Sequence, residues 1–219
     1  LGEFMYTAGW DPNLLLGAAK NVDLVNTNMP YPGSRPYTRF PVPGGGLLFP
    51  SYELSTAYAE CDVLVSMNKI KEHATTGFTL SIKNWFGITP TTIYGDRIGD
   101  DEPSPEPHGG RGTIMHSGAR QPPKGIAPEK DPSSPRDAGY RIPRCIADLV
   151  AACPVHLAIL EGVETMAGGE GPWIRGEGPW IRGVRPCRPG LVVAGANCVS
   201  TDAVGLALGH KGVHREAAG

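Results

Sequence analysis

Short apolar segments alternate with segments of helical spacing, and this alternation limits the fold more than any other feature of the chain. Four apolar segments have the length and composition of strands: residues 22–26, 61–67, 155–163 and 189–199. Three segments repeat apolar residues every three or four positions, as an amphipathic helix does: residues 52–60, 142–153 and 200–209. The order of these segments predicts an α/β fold, with a mostly parallel sheet that has helices on both faces.

The size and charge of the chain restrict its organisation. Its 219 residues, 40% of them hydrophobic, suit one soluble α/β domain over residues 1–219. The net charge of -2 gives no reason to expect a nucleic-acid partner, and the apolar runs are shorter than the roughly 18 residues of a transmembrane segment. Because the chain starts without an initiator Met or a leader pattern, we expect a fragment that lacks N-terminal strands. Localisation therefore stays open between the cytoplasm and export.

Two segments interrupt the alternation. Residues 95–140 contain eight prolines and almost no periodic apolar pattern, which predicts a long loop. Loops of this length are either functional covers, such as a lid, or poorly ordered excursions, and both alternatives stay open. Residues 169–175 are repeated without change at 176–182, and two copies of seven residues are too few for a repeat architecture. This duplicated heptad is predicted to lengthen a surface loop, as a hairpin or as a cover for a ligand.

A cluster of basic residues follows the predicted strand 61–67. If that strand stays extended, three side chains at a spacing of two point to one side: Lys69, Lys71 and His73. The next segment, 74–87, is interpreted as a helix that carries Thr76, Thr79 and Lys83 on one stripe. Both groups are expected at the carboxyl end of the sheet, where open α/β folds bind ligands. The prediction is a pocket that binds anions, in which Lys69 alone is expected to be solvated.

Acidic residues follow the later predicted strands. Glu161 ends one strand before a glycine-rich turn, and Asp202 follows the last strand. Carboxylates that face a basic cluster permit acid–base chemistry, because opposite charges move each other's pKa values. Asp202 also fits a structural role, since the sequence STDA before an apolar helix is typical of a helix cap.

Several motifs resemble one protein family. They are CDVLVSMNKIKEHATTGFTLSIKNWFGITP, then His116, IADLV, LAILEGVETMAGGEGP and NCVSTDAVGLALG. In this order they resemble the domain-of-unknown-function 362 family over residues 55–210. The chain differs from that pattern at Glu161, where the family usually has Asp, and it has the additional heptad. It also lacks the family's earlier third, which has its own Lys-Pro-Asn step.

The resemblance implies a site but no activity, since the family is defined by lacking one. Members with ferredoxin-type cysteine motifs or twin-arginine leaders suggest redox work or export, and neither feature occurs in this chain. The predicted catalytic residues are His73, His116 and Glu161. The predicted substrate-binding residues are Lys71, Lys83, Asn84, Thr76 and Asp202. The cofactor is left unknown.

Three functions are compatible with these residues. The first is an enzyme that binds a small carboxylate or phosphate through its lysines and moves a proton with a histidine. The second is a metal-dependent redox or hydrolytic enzyme with His and carboxylate ligands, although no tight ligand spacing occurs and no metal site is assigned. The third is a non-catalytic binding or assembly protein. Whether the chain forms a homo-oligomer is left open.

Overall fold

The computed structural model describes residues 11–28, 37–101, 104, 106–169, 173–174, 178–179 and 184–215. The helices are α1 (Pro12–Ala18), α2 (Thr56–Glu60), α3 (Ser81–Asn84), α4 (Thr91–Tyr94), α5 (Ala138–Ala152) and α6 (Cys198–Arg215). A 3₁₀ turn, Trp85–Ile88, continues α3, and a short π-helical turn spans Gly112–His116. The strands are β1 (Tyr37–Pro41), β2 (Ser51–Ser55), β3 (Val65–Lys69), β4 (Lys71–His73), β5 (Gly77–Thr79), β6 (Leu157–Gly162), β7 (Thr165–Ala167), β8 (Trp173–Ile174), β9 (Gly178–Pro179), β10 (Arg185–Cys187) and β11 (Leu191–Gly195).

The strands form small sheets. The largest described sheet has three strands in the order β11-β6-β3, in which β3 runs parallel to β6 and β11 runs antiparallel to it. Four two-stranded sheets accompany it, and all of them are antiparallel: β1 with β2, β4 with β5, β7 with β10, and β8 with β9. The predicted fold class is therefore wrong, because the described strands do not form a mostly parallel sheet with helices on both faces.

The burial of β3 explains this error. Its residues alternate between exposed and buried, so that Ser66 and Asn68 lie inside while Val65 and Met67 are 43% and 59% exposed. Val192 on β11 is likewise 57% exposed. The apolar runs were interpreted as strands buried on both faces, but in the described structure only one face of this sheet is covered. Helices α3 and α6 contact that covered face.

Individual segments agree with the sequence to different degrees. The predicted helix at 142–153 is α5, and the predicted strands at 155–163 and 189–199 contain β6 and β11. Residues 22–26 are not a strand, and residues 52–60 divide into β2 and the five-residue α2. The predicted helix at 74–87 is also wrong in its first half, because β5 precedes α3. Gly77, with a φ of 76°, is the first residue of β5 and directly follows the turn that reverses the chain after β4.

The main core joins the β1–β2 hairpin, the 3₁₀ turn, α4 and the buried face of α5, and it reaches the three-stranded sheet at Ala158 of β6. A smaller cluster of Ile70, Leu80 and Leu160 lies beneath the three-stranded sheet. Gly205 allows α6 to pack closely there, because a Cβ at this position would lie 2.3 Å from Cδ1 of Leu160.

The proline-rich segment is tied to the core at several points. Arg111 donates to the carbonyl of Thr89 at 2.7 Å, and the amide of Lys130 donates to the carbonyl of Leu48 at 2.8 Å. Glu129 and Arg141 form an ion pair at 2.6 Å, and both side chains are fully buried. The described part of residues 95–140 therefore packs as part of the domain. The duplicated heptad lies mostly outside the described residues, apart from the backbone of β8 and β9.

No described helix has the length and the apolar character that crossing a membrane requires.

Candidate functional site

A cavity of about 480 Å³ lies where β3 and β6 end. Its lining residues are Met67, Asn68, Lys69, Lys71, Thr79, Asn84 and Glu161. The parallel register places Lys69 directly beside Glu161, and β4 begins two residues later with Lys71, which pairs with Thr79 of β5. The cavity thus occupies the carboxyl ends of the one described parallel strand pair, which is the edge where the sequence predicted a site.

The charges of the cavity lining are unequal. Two lysines and one glutamate line it, so these residues together carry one net positive charge. Nζ of Lys69 contacts Oε2 of Glu161 and also donates to the carbonyl of Glu164 at 2.8 Å. The sequence predicted a solvated Lys69. Its side chain is 47% exposed, and its ammonium group is also bound by Glu161. Lys69 and Glu161 therefore form an ion pair in the cavity lining.

Glu161 is held as a carboxylate. Partial burial raises its pKa, but the hydrogen bond from Lys69 and those from the amides of Val163 and Glu164 outweigh burial, so its pKa lies below the usual range. The two amides donate to Oε1 at 2.7 and 3.3 Å. Both carboxylate oxygens have protein partners in this arrangement, which orients Glu161 and keeps it ionised at neutral pH.

Two buried polar atoms of the lining have no hydrogen-bond partner among the described residues. They are Oδ1 of Asn68 and Oγ1 of Thr79. The two residues are only 7% and 8% exposed. Buried polar groups are nearly always hydrogen-bonded in native proteins, so these two atoms are exceptions within the described structure.

Asn84 reaches the cavity from α3. Its Nδ2 donates to Oγ of Ser66 at 3.2 Å. Asp202, on α6, caps the start of α3 by accepting from the amides of Ser81 and Ile82 at 2.9 and 2.8 Å, and from Oγ of Ser81 at 2.7 Å. Asp202 thus does not line the cavity but positions the helix that does. The sequence suggested that Asp202 caps its own helix, but Asp202 caps α3 instead.

Asn197 caps α6 instead. Its Oδ1 accepts from the amide of Ser200 at 2.9 Å, and its carbonyl accepts from the amide of Thr201 at 2.9 Å. The side chain of Asp202 is therefore available to α3.

His73 is the last residue of β4, and Thr76 lies in the turn between β4 and β5. Nδ1 of His73 accepts from the amides of Thr75 and Thr76 at 3.1 and 3.3 Å. His73 lines a second cavity of about 460 Å³ together with Glu72, Ala74, Gly77, Phe78, Gly168 and Gly169. The structure therefore does not bring His73 into the cavity that Lys71 lines.

Lys83 and His116 both contact the ring of Phe86. Nζ of Lys83 lies 4.8 Å from the ring centroid, and the His116 ring packs edge-on at 5.2 Å. Nδ1 of His116 lies 2.8 Å from the carbonyl of Arg111. Because a carbonyl only accepts, this nitrogen carries the proton. Neither Lys83 nor His116 is among the residues that line the 480 Å³ cavity.

The predicted site is thus divided by the structure. Of the predicted set, Lys71, Asn84 and Glu161 share the cavity, and the other five residues do not line it. Sequence reasoning missed Asn68 as a lining residue, whereas it had placed Thr79 on the stripe expected at this pocket. The available signal was the position of Asn68 directly after the apolar segment 61–67, where a buried amide needs a partner.

A metal site would need a cluster of donors. The described ranges contain no group of three or more His, Cys, Asp or Glu side chains that could hold an ion.

The fold and the cavity define an α and β protein with small mixed and antiparallel sheets and a polar cavity at the ends of two parallel strands. In comparison with known families, the model of the family described as "Domain of unknown function (DUF362)" matches residues 17–207. The chain belongs to this family, as the resemblance of its motifs implied. No curated protein and no solved structure gives a significant match.

Proposed function

We propose that this chain binds a small carboxylate or phosphate anion in the cavity at the ends of β3 and β6. The observation that carries the proposal is the lining, in which Lys69 and Lys71 face a single glutamate, Glu161. A half-enclosed cavity strengthens the attraction between an ammonium group and an anion relative to bulk water. The proposed ligand class is the one predicted from the sequence, but the proposed binding site contains fewer of the predicted residues.

Each polar group has a distinct role in this proposal. Lys71 lines the cavity and is proposed to bind the anion through its ammonium group. Asn84 lines the same cavity from α3, where its Nδ2 donates to Oγ of Ser66 and to the carbonyl of Met67. The position of Asn84 depends on the cap that Asp202 forms on α3. The catalytic roles of His73 and His116 remain predictions, because neither ring lines this cavity.

The test compares two lysine variants of equal size. Lys71→Met removes the cation from the lining, whereas Lys83→Met removes a cation that lies over Phe86 instead. Binding of acetate, malonate and phosphate would be measured by calorimetry, with thermal shift as a second readout. A hydrogen bond to a charged group contributes about 1.5–3 kcal/mol, so Lys71→Met should weaken binding about tenfold to a hundredfold. Lys83→Met should bind as the wild type does.

Two results would contradict the proposal. One is the absence of anion binding by the wild type in the millimolar range. The other is unchanged binding by Lys71→Met, which would move the site elsewhere. If only Lys83→Met lost binding, the anion would bind near Lys83 of α3, which the sequence analysis predicted as a substrate-binding residue. Lys124→Met is the control for net charge, because Lys124 is 79% exposed and pairs only with the surface residue Asp101 among the described residues.

A further inference from the structure

We infer that a second cavity binds an organic anion, whose phosphate or carboxylate group contacts Arg111. This cavity of about 680 Å³ is lined by residues 25–28, by Thr91 and by part of the proline-rich segment. Its described lining includes no Asp or Glu side chain, and it shares no described residue with the lining of the cavity at the ends of β3 and β6. The site is therefore separate from the one in the proposed function, and the inference goes beyond that function.

The guanidinium group of Arg111 uses three of its five N–H groups on neutral acceptors. Nε donates to the carbonyl of Thr89 at 2.7 Å, and Nη2 donates to Oδ1 of Asn28 and to the carbonyl of Gly87 at 3.0 and 3.1 Å. The two N–H groups of Nη1 have no hydrogen-bond partner among the described residues. Nη1 is not one of the buried atoms that lack a partner in the described structure, so it is accessible from the cavity.

The charge of Arg111 is only partly balanced in the described structure. Burial lowers the pKa of Arg111 to about 10, although Tyr58 and Asp96 oppose this shift, so the guanidinium is protonated at neutral pH. Asp96 forms no ion pair with Arg111 among the described residues. Oδ1 of Asp96 instead accepts from the amide and the hydroxyl of Thr113 at 2.7 and 3.1 Å. A partly buried cation without an ionic partner is costly, and a bound anion supplies that partner.

Two neutral donors line the same cavity. Oδ1 of Asn26 accepts from the amide of Asn28 at 3.1 Å, which fixes the side-chain amide and leaves Nδ2 as a donor without a partner among the described residues. The hydroxyl of Thr27 accepts from the hydroxyl of Tyr58 at 2.9 Å, so its own proton is available to donate. Phosphate and carboxylate oxygens accept from donors of this kind, and the bonds that involve a charged group are the stronger ones.

Asn28 holds these groups together. Its Oδ1 accepts both from Nη2 of Arg111 at 3.0 Å and from the amide of Thr91 at 3.2 Å, and its own amide donates to Asn26 at 3.1 Å. The guanidinium group and the side-chain amide of Asn26 are thus each one hydrogen bond away from the same residue. This network brings the cation and a neutral donor to one part of the lining, where a single oxyanion group can contact both.

The cavity also offers apolar surface to the rest of an organic molecule. Val25 and Pro107 line it, and Val25 is 37% exposed. Its volume lies within the range of small-molecule sites, roughly 300–1,000 Å³, which combine apolar surface with a few polar groups. The ligand class is therefore an organic oxyanion, with its charged group at Arg111 and an apolar group against Val25 and Pro107.

The experiment measures the binding of matched probes by calorimetry. Phenyl phosphate and benzoate carry the two oxyanion groups on one apolar ring, and benzamide is the neutral counterpart. The proteins are the wild type, Lys71→Met, and Lys71→Met combined with either Asn26→Asp or Asn13→Asp. Asn26→Asp keeps an oxygen that accepts from the amide of Asn28 and places a negative charge in the lining. Asn13→Asp changes the net charge equally at an exposed position of α1 and is the matched control.

The expected result is that Lys71→Met binds phenyl phosphate or benzoate in the millimolar range or more tightly, and the tighter probe identifies the oxyanion group. Adding Asn26→Asp should weaken this binding at least about tenfold, because its carboxylate repels the anion and supplies the counter-charge of Arg111. Adding Asn13→Asp should change it less than about threefold, since an exposed charge far from the ligand is screened. In the wild type, the NMR signal of the Asn26 side-chain amide should shift as the probe is added.

The outcomes separate the inference from the proposed function. Binding by the wild type that Lys71→Met abolishes would overturn the inference and support the first cavity. Binding that Lys71→Met retains and Asn26→Asp weakens would support the inference even if the proposed function failed. Equal binding by the Asn26→Asp and Asn13→Asp proteins would overturn the inference, as would benzamide binding as tightly as the oxyanions. If Asn26→Asp does not fold, the wild-type titration decides, because an unshifted Asn26 amide signal would also overturn it.

Discussion

The buried carboxylate of Glu129 offers the sharpest test of how the proline-rich segment is held. This side chain is fully buried and accepts from Nη1 of Arg141 and Nη1 of Arg136, each at 2.6 Å. Gln121 donates to it at 3.1 Å, and Ser134 also contacts it. Arg141, on α5, is itself fully buried. The pair therefore joins the segment to the main helix of the core.

Glu129→Gln keeps the size of the side chain but removes its charge. Breaking a buried ion pair on one side typically costs 3–5 kcal/mol, because the remaining charge is left without compensation. The pKa of Glu129 gives a second value for this loss of stability. Burial raises this pKa, but the bonds from Arg141 and Arg136 outweigh it and lower the pKa from 4.5 to about 2. At 1.36 kcal/mol per unit, that difference corresponds to about 3 kcal/mol. Both arguments predict a loss of about 3 kcal/mol in the free energy of unfolding.

The measurement is urea unfolding of the wild type and Glu129→Gln at several pH values. The pKa of Glu129 is lower in the folded state than in the unfolded state. Its stabilising contribution is therefore complete above about pH 4.5 and is lost as the pH falls towards about 2. The difference between the two proteins should be largest at pH 7 and should narrow over that range. A glutamine cannot titrate, so the change with pH belongs to the carboxylate.

Lys124→Gln is the control, since Lys124 and Asp101 form an ion pair whose side chains are 79% and 83% exposed. Surface pairs of this kind contribute at most about 1 kcal/mol. The reasoning would be refuted if Glu129→Gln cost no more than the control, or if its effect were the same at pH 3 and pH 7. The double variant Glu129→Gln with Arg141→Met should recover part of the loss, because it removes the uncompensated charge.

Two further predictions concern residues around the cavity. Asp202→Ala should lower the free energy of unfolding by about 2 kcal/mol in urea, because it removes the bonds that cap α3 at Ser81 and Ile82; a loss below about 0.5 kcal/mol would show that this cap is not structural. Lys69→Met should raise the pKa of Glu161 towards its usual value, because Lys69 supplies the first hydrogen bond that offsets burial. A carboxyl titration followed by NMR measures this pKa, and an unchanged value would contradict the assigned role of Lys69.

The cavity brings together two of the predicted site residues, Lys71 and Glu161, and their roles stay predictions. The parallel register of β3 and β6 pairs Glu161 with Lys69, and Lys71 follows two residues later at the start of β4. The interpretation of residues 74–87 as one helix placed Thr76 and Lys83 in the same group. The structure instead turns the chain at Gly77 and starts α3 at Ser81, so this stripe does not exist. The spacing of apolar residues within this segment cannot show that the helix start is capped by Asp202, which is distant in the sequence.

The sequence by itself determined the longer elements and the family. The apolar residues of α5 recur with a helical period over its 15 residues, and a helix is the structure that buries them on one face. The ordered motifs identify the family. Only the tertiary structure decided the sheet type, the division of the predicted site, and the unpaired atoms of Asn68 and Thr79. The physical reason is that strand pairing, caps and hydrogen-bond partners join residues far apart in the chain, whereas a sequence pattern reports only on neighbours.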